Sequence, residues 1–528
     1  MPPPPAGAPA TLPDVLAAAA VATPDVEAYV EPATAGAPRR AVTFAGWHRA
    51  STGVAGLLAA HGVGPGTVVC LLLPSSIDYM VAYAAAARLG AVTSGINLRL
   101  GAAEVTSILE RARPTVTVVD DGRADPAGPA GAVVRRYELA AAADGPGPTS
   151  WPVLDPTDPV AVVWTSGTTG LPKGAVFDHA SLRAVASGTD VLSVPGDRRL
   201  SPLPFAHVGS MTRTWDEAAN TVTTVITPTP WTAADQIAVM EAERITVAQG
   251  VPTQWALVLD HPALAAADLS ALRVAGTGAS RVPAELVAAL REALGVPVVV
   301  RYTSTEASLG TGTVPGDPDE AVATTVGRPV PGVELALADD DGAPVPAGGV
   351  GRVRLRSAAV MRGYWGGPLT GPGRAGVTWD TAATAAVLDA EGWLTTGDYG
   401  RLDDDGRLTL VGRANELYIR GGYNVYPAEV EAALGDHPGV AQVAVVGGPD
   451  PVLGEVGVAF VVLAPDAEAD EGALLEGLRA RAKSRLADYK APDRVVVVDV
   501  LPLTSMMKVD KGVLARRAGT VTMGAAAP

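Results

Sequence analysis

Between about residues 160 and 310, short apolar runs alternate with stretches whose apolar positions recur at helical spacing. "AVVWTS" (161–166), "TTVIT" (223–227), "TVAQGV" (246–251), "LRVAGTG" (272–278) and "VPVVVRYTS" (296–304) read as strands. "HASLRAVASG" (179–188), "AADQIAVMEAERI" (233–245) and "PAELVAALREAL" (283–294) read as helices between them. Alternation of this kind predicts α/β layers around a mostly parallel sheet. Upstream, "LPDVLAAAAVATP" (12–24) reads as a first helix behind the Pro-rich stretch 1–10, which reads as a disordered tail. No Lys or Arg precedes Arg39, so that apolar start lacks the basic flank of a signal peptide. No apolar run reaches membrane-spanning length.

After Gly327 the pattern changes to short β segments with Gly/Pro turns, and "GGPLTGPGRAGVT" (366–378) reads as a flexible surface insertion. "GDYGRLDDDGRLTLVGR" (397–413) reads as two strands around an Asp-Gly turn, which sets Asp398 beside Arg413. From about 414 a smaller unit begins, with helices at "PAEVEAALGDHP" and "EGALLEGLRARAKSRL" and strands at "VAQVAVVGG", "EVGVAFVVL" and "DRVVVVDVL". The expected fold class is therefore α/β. A large N-terminal domain of layered α/β sheets with a small β-rich portion precedes a smaller α+β C-terminal domain.

Charge narrows the partners. A net charge of −16 opposes nonspecific nucleic-acid binding, which needs a cationic surface. A local loop field can still attract a small anion. Cys70, the single cysteine, sits in the apolar "VVCLLLP" and reads as core packing in a cytoplasmic protein. Lys and Arg together number 40, and only five of these are Lys: Lys173, Lys483, Lys490, Lys508 and Lys511. Where Arg so dominates, a retained Lys invites a chemical reason. One lies mid-chain and four crowd the last tenth of the sequence.

The mid-chain lysine ends "WTSGTTGLPKG" (164–174). Gly167 and Gly170 let backbone approach a ligand closely. Thr165, Ser166, Thr168 and Thr169 supply hydroxyl and N–H donors, and Lys173 a point charge. This equipment suits polyphosphate oxygens, although the spacing is not that of a Walker A loop. The bland alternative is a Gly/Thr-rich turn with an exposed Lys.

"WTSGTTGLPKG" resembles the phosphate loop of the adenylate-forming superfamily, which contains acyl-CoA and aryl-CoA synthetases, adenylation domains and luciferases. Further stretches match in the family's order: "PLPFAHVGS", "RYTSTEAS", "TTGD", "GRANELYIRGGYNVYPAEVE" and "LPLTSMMK". The resemblance covers nearly the whole chain and is closest in type to acyl-CoA or aryl-CoA ligases. It implies a tail (1–10), a large domain (11–413) and a small mobile domain (414–528) turning near Glu416. Thr165, Ser166, Gly167, Thr168, Thr169, Lys173, Gly278, Ala279, Ser280, Tyr302, Thr303, Ser304, Asp398, Arg413 and Lys508 are the implied ATP-binding residues. Glu306 is the implied Mg²⁺ ligand, a hard oxygen of the kind that ion demands. Lys508, His207, Thr305 and Glu306 are the implied catalytic residues. His207, Val208, Gly209, Ser210, Met211, Trp215, Gly250, Val251 and Gly276 are the implied acyl pocket, small and apolar for the most part. Gly421, Gly422 and Tyr423 are assigned to the CoA channel. His179 is read as a helix cap, and Lys490 and Lys511 as surface groups.

The implied reaction is an ATP-dependent acid–CoA ligation through an acyl-adenylate, with release of AMP and pyrophosphate. ATP, Mg²⁺ and CoA are the expected cofactors, and a small carboxylic acid the expected partner. Alternatives are the loading of a carrier protein, expected to be a separate chain, and adenylation of another oxyanion such as nitrite. A non-enzymatic ATP-binding scaffold is a further one. Three positions depart from the family pattern: Thr303 and Met507 stand where Gly is usual, and Glu416 where Asp or Lys is usual.

Overall fold

The structure is a computed structural model that describes residues 8–34, 36–165, 172–278, 282–414, 416–465, 467, 471–504 and 508–520. The proposed tail lies outside this description as far as residue 7. The chain divides into two compact units, Met1–Leu335 with Arg354–Thr395 and Ala336–Val353 with Thr396–Pro528.

In the first unit, six strands run parallel in one sheet: Glu27–Glu31, Thr223–Ile226, Arg198–Ser201, Val247–Gly250, Val274–Gly278 and Val298–Tyr302. Arg40–Thr43 closes one edge antiparallel, and Thr311–Gly312 with Arg328–Pro329 closes the other. The two faces of this sheet differ. Leu200, Val225, Ala248, Ala275, Val298 and Val300 pack with Ile237, Met240, Trp255, Val287 and Leu290 of three covering helices into an apolar core. Successive strand residues point to opposite sides, so Arg199, Gln249, Gly276, Gly278 and Arg301 share the other face.

A second sheet is ordered Ala132–Arg135, Val116–Val119, Val68–Leu72, Val92–Gly95, Pro159–Thr165 and Lys173–Asp178. All its strands are parallel except the last. Val68–Leu72 and Val116–Val119 within it are fully buried, mostly apolar runs, as strands covered on both faces require. Cys70 lies inside it, and burial pushes its thiol up to about 12. Gly95 is required where it stands, because a Cβ there would lie 2.4 Å from the Tyr79 hydroxyl.

The sequence reading missed two things here. The stretch 366–378 is folded rather than loose: Trp365–Gly367 pairs with Thr378–Trp379, and Thr370 N–H donates to Gly376 O at 2.8 Å. His179 is not the cap of its helix. Asp178 is, accepting from Ser181 N at 2.7 Å, while His179 is buried and accepts from Leu12 N at 3.1 Å.

The second unit is built on the strands Tyr423–Val425, Tyr418–Arg420, Gly454–Leu463, Val440–Asp450 and Arg494–Val497. Period-two alternation divides its core. Val445, Ala459 and Val461 face the helices Pro427–Leu434 and Glu471–Arg485, whereas Ala444, Val446, Val458 and Phe460 face the helix Lys511–Ala518. No helix of the described residues is long and apolar enough to cross a membrane.

Candidate active site

Lys173 is the first residue of a strand, paired antiparallel in register with Thr165. Ser166, Gly167, Thr168 and Thr169 lie outside the described residues. The Lys173 Nζ sits 5.4 Å from the centre of the Tyr364 ring. The Tyr364 hydroxyl donates to Glu306 Oε1 at 2.7 Å. Lys173 and Glu306, far apart in sequence, are thus joined through one tyrosine.

The backbone explains why. Arg362 N donates to Val176 O at 2.8 Å and Val176 N to Gly363 O at 3.0 Å, so residues 361–364 run beside the Lys173 strand. Met361 N donates to Glu306 O at 2.8 Å on the other side. Arg362 adds a bidentate pair with Asp178, at 2.6 and 2.9 Å. Burial and the nearby Glu306 charge hold the Tyr364 phenol far above its ordinary range, so it remains a donor. Tyr364 was missed in the sequence; the aromatic pair after Gly363 was the available signal.

Thr303, Ser304, Thr305 and Glu306 form a tight turn after the strand Val298–Tyr302. Ser304 O accepts from Ser308 N at 3.1 Å, and its Oγ from Ala307 N at 3.2 Å. Thr303 is exposed and Tyr302 buried. Gly278 lies against Arg301, where a Cβ would approach the carbonyl oxygen to 2.3 Å. Ala279 and Ser280 lie outside the described residues.

His207 caps the short helix Val208–Met211, its Nδ1 accepting from Gly209 N at 3.1 Å. Val208, Ser210 and Met211 are buried on that helix, and Trp215 on the next, Thr214–Ala219. Gly250 ends a strand whose neighbour carries Gly276, Val251 precedes the helix Pro252–Leu259, and the Trp255 indole donates to Gly276 O at 3.0 Å. This neighbourhood is less apolar than the sequence implied. Arg213, between Met211 and Trp215, reaches Gln249 Oε1 from Nη1 at 3.5 Å.

In the second unit, Asp398 and Arg413 face each other in register across the expected hairpin, and Arg413 Nε donates to Asp398 Oδ1 at 2.9 Å. Lys508 shares their field. Burial and the Arg413 charge lower its ammonium pKa, while Asp398 opposes the shift. Thr504 N donates to Lys508 O at 2.7 Å. Met507 lies outside the described residues. Glu416 Oε2 accepts from Lys511 Nζ at 2.8 Å, and Glu431 Oε1 from the same ammonium at 2.9 Å. Lys511 is therefore a largely buried ion-pair centre, and Lys490, 2.6 Å from Glu429, is likewise paired. Neither is the free surface group expected. Gly421 and Gly422 have φ of 56° and 89° and form the two-residue turn between Arg420 and Tyr423. That turn demands left-handed backbone at both positions, hence Gly-Gly. Tyr423 stacks on Tyr489 with ring centres 4.6 Å apart.

Residues 16–365 match a family model described as AMP-binding enzyme, and residues 429–508 match one described as AMP-binding enzyme C-terminal domain. The chain is 37% identical to a methyl-dioxo-octahydroindenyl-propanoyl:CoA ligase of Mycobacterium tuberculosis, over 87% of this chain and 90% of the relative. It is 35% identical to a feruloyl-CoA synthase of an Amycolatopsis species, over 91% of this chain and 94% of the relative. Among solved structures, an anthranilate CoA ligase in complex with anthranoyl-AMP superposes with a TM-score of 0.84 at 26% identity, covering 97% of each chain.

Proposed function

The chain belongs to the family of AMP-binding enzymes, and from that premise we propose that it is an ATP-dependent acid–CoA ligase working through an acyl-adenylate. A carboxylate oxygen attacks the α-phosphorus, the bond from that phosphorus to the α,β-bridging oxygen breaks and pyrophosphate leaves. A thiol then attacks the acyl carbon and AMP departs. Each product is a stable anion, so the protein's task is to position reactants and to meet charge where it develops.

The observation that carries this reading is the grouping of Lys508 with Asp398 and Arg413. An ionised carboxylate offers only acceptors, which suits two ribose hydroxyls. A preorganised ammonium beside it is placed to stabilise negative charge at the attacked phosphorus. Mg²⁺ carried on a triphosphate needs only one or two protein carboxylates. Glu306, oriented by Tyr364, fits that requirement and would hold the ion, which would offset phosphate charge. Lys173 and the loop before it serve the phosphates, and His207 with its helix serves the acid. For the second half-reaction the small domain turns at Glu416, withdrawing Lys508 and bringing the Gly421–Gly422 turn to the thiol.

The test is AMP and pyrophosphate release with Mg²⁺ over a panel of carboxylic acids plus nitrite, each with CoA, a carrier-protein thiol or an amine as acceptor. One AMP and one pyrophosphate per CoA thioester is expected. Release of ADP and orthophosphate would overturn the reading.

A further inference from the structure

We propose that the acid activated here carries a second oxygen acceptor, a carboxylate or a ketone, remote from the reacting carboxyl, and that Arg213, Arg301 and Gln249 receive it. The proposal rests on the ligase reading and names the substrate class of its acyl site.

The argument starts from register. Gln249 pairs with Gly276, and Gly278 with Arg301, in neighbouring parallel strands. Paired residues of a sheet project to one side, so two glycines separate Gln249 from Arg301 on the face opposite the helical core. Gln249 and Leu192 close over Gly276, each 3.4 Å from where its Cβ would stand, and the Arg301 guanidinium lies over Gly312 of the next strand. Arg213 leans in from the turn between the helices Val208–Met211 and Thr214–Ala219, with Nη1 3.5 Å from Gln249 Oε1.

These two arginines differ from Arg199, which shares their face. Arg199 is fully buried and satisfied, at 3.1 Å from Asp216 Oδ2 and 2.7 Å from Glu217 Oε1. Both carboxylates are further occupied: Asp216 accepts from Thr189 Oγ1 and Asn220 Nδ2, and Glu217 from the Tyr29 hydroxyl and Thr224 Oγ1. Arg213 comes no closer than 3.8 Å to Asp216 by its ion pair. Arg301 gives Nη1 to Thr313 O at 2.9 Å, but its buried Nη2 has no hydrogen-bond partner, the nearest acid being Asp190 Oδ2 at 3.9 Å.

A guanidinium has five N–H donors, and covering unsatisfied ones with alkyl chain is costly. Burial and the charges of Arg199 and Arg301 push Arg213 down to about 10. An oxygen acceptor in this region relieves the repulsion at Arg213 and meets the open Nη2 of Arg301. A purely alkyl tail relieves neither.

The test is acid-dependent pyrophosphate exchange with acids matched in length: hexanoate, adipate and 5-oxohexanoate. Sites built to hydrogen-bond a substrate group discriminate strongly against its absence, so kcat/KM should favour an oxygenated acid over hexanoate by on the order of 10² or more. Preference for adipate assigns the acceptor as carboxylate, and preference for 5-oxohexanoate as ketone. Arg301→Leu and Arg213→Leu should erase the preference while sparing hexanoate, and Arg301→Lys should restore part of it. Hexanoate equal to or better than both partners in the wild-type enzyme would overturn the proposal, whatever the variants do. So would equal loss on all three acids in folded Leu variants. Exchange with no acid at all would overturn the ligase reading itself, and this inference with it.

Discussion

Replacing Tyr364 with Phe removes one oxygen atom and leaves the ring. Tyr364 is 4% exposed, its hydroxyl lies 2.7 Å from Glu306 Oε1, and Lys173 Nζ lies 5.4 Å from the ring centre. The Lys173 contact with the ring should therefore survive, and only the donor to the carboxylate is lost. A hydrogen bond to a charged group contributes about 1.5–3 kcal/mol. At 1.4 kcal/mol per factor of ten, that is about 10- to 100-fold in whatever depends on Glu306 being held in place, the range typical for groups that orient a metal ligand. In the proposed function that dependence is on Mg²⁺. Titrating Mg²⁺ in acid-dependent pyrophosphate exchange should show half-saturation raised by about 10- to 100-fold in Tyr364→Phe. The rate at saturating Mg²⁺ should fall far less. An unchanged or lowered Mg²⁺ requirement in a folded variant would refute the positioning argument and leave Tyr364 as core packing.

Other outcomes follow from the second unit and the buried histidine. Lys508→Ala should slow adenylation on the order of 10²–10³ by analogy with other preorganised charge donors, yet spare thioester formation from supplied acyl-adenylate; equal loss in both assays would reassign the lysine. Because burial and Arg413 lower the Lys508 pKa, adenylation should decline on raising the pH below the range of an ordinary lysine, and a decline unmoved in Lys508→Arg would assign it to another group. Glu416→Pro fixes φ near −65° and should keep pyrophosphate exchange while losing CoA thioester formation. It also removes the 2.8 Å contact with Lys511, so Glu416→Gln is the control, and thioester formation at the wild-type rate in the proline variant would place the turning point elsewhere. His179 is held down to about 4 by burial, against about 6.5 in an unfolded chain. The unfolded state then binds the extra proton first, so stability should fall by up to about 3 kcal/mol as pH drops from about 6.5 to about 4. Urea unfolding across that window should show the slope, and His179→Leu should flatten it; equal slopes would mean that the imidazole titrates alike in both states.

Legibility in the sequence followed the range of the interaction. The parallel strands from 160 to 310 are announced by continuous apolar runs, and the Asp398–Arg413 pairing by an Asp-Gly turn with near-equal arms. Both are local signals. Tyr364 and Glu306 are 58 residues apart, and nothing in either neighbourhood names the other. Arg213 hides in "MTRTW", where flanking buried residues suggest packing, and only the folded chain brings it to Gln249, 36 residues on. Lys511 looked like a surface lysine because its acids, Glu416 and Glu431, lie in a turn and a helix far away in sequence. Its rarity as one of five lysines was the one usable hint. His179 misled for a related reason. A polar residue at a helix start suggests capping, but Asp178 fills that role and leaves the ring to the core.

The central claim is that a substrate carboxylate attacks the α-phosphorus, and oxygen transfer tests it most directly. An acid found active in the panel, labelled with ¹⁸O in both carboxyl oxygens, is turned over with ATP, Mg²⁺ and CoA, and the products are read by mass spectrometry. The account predicts one ¹⁸O in each AMP, one in each thioester and none in pyrophosphate. Unlabelled AMP, or label in a released phosphate, would contradict it.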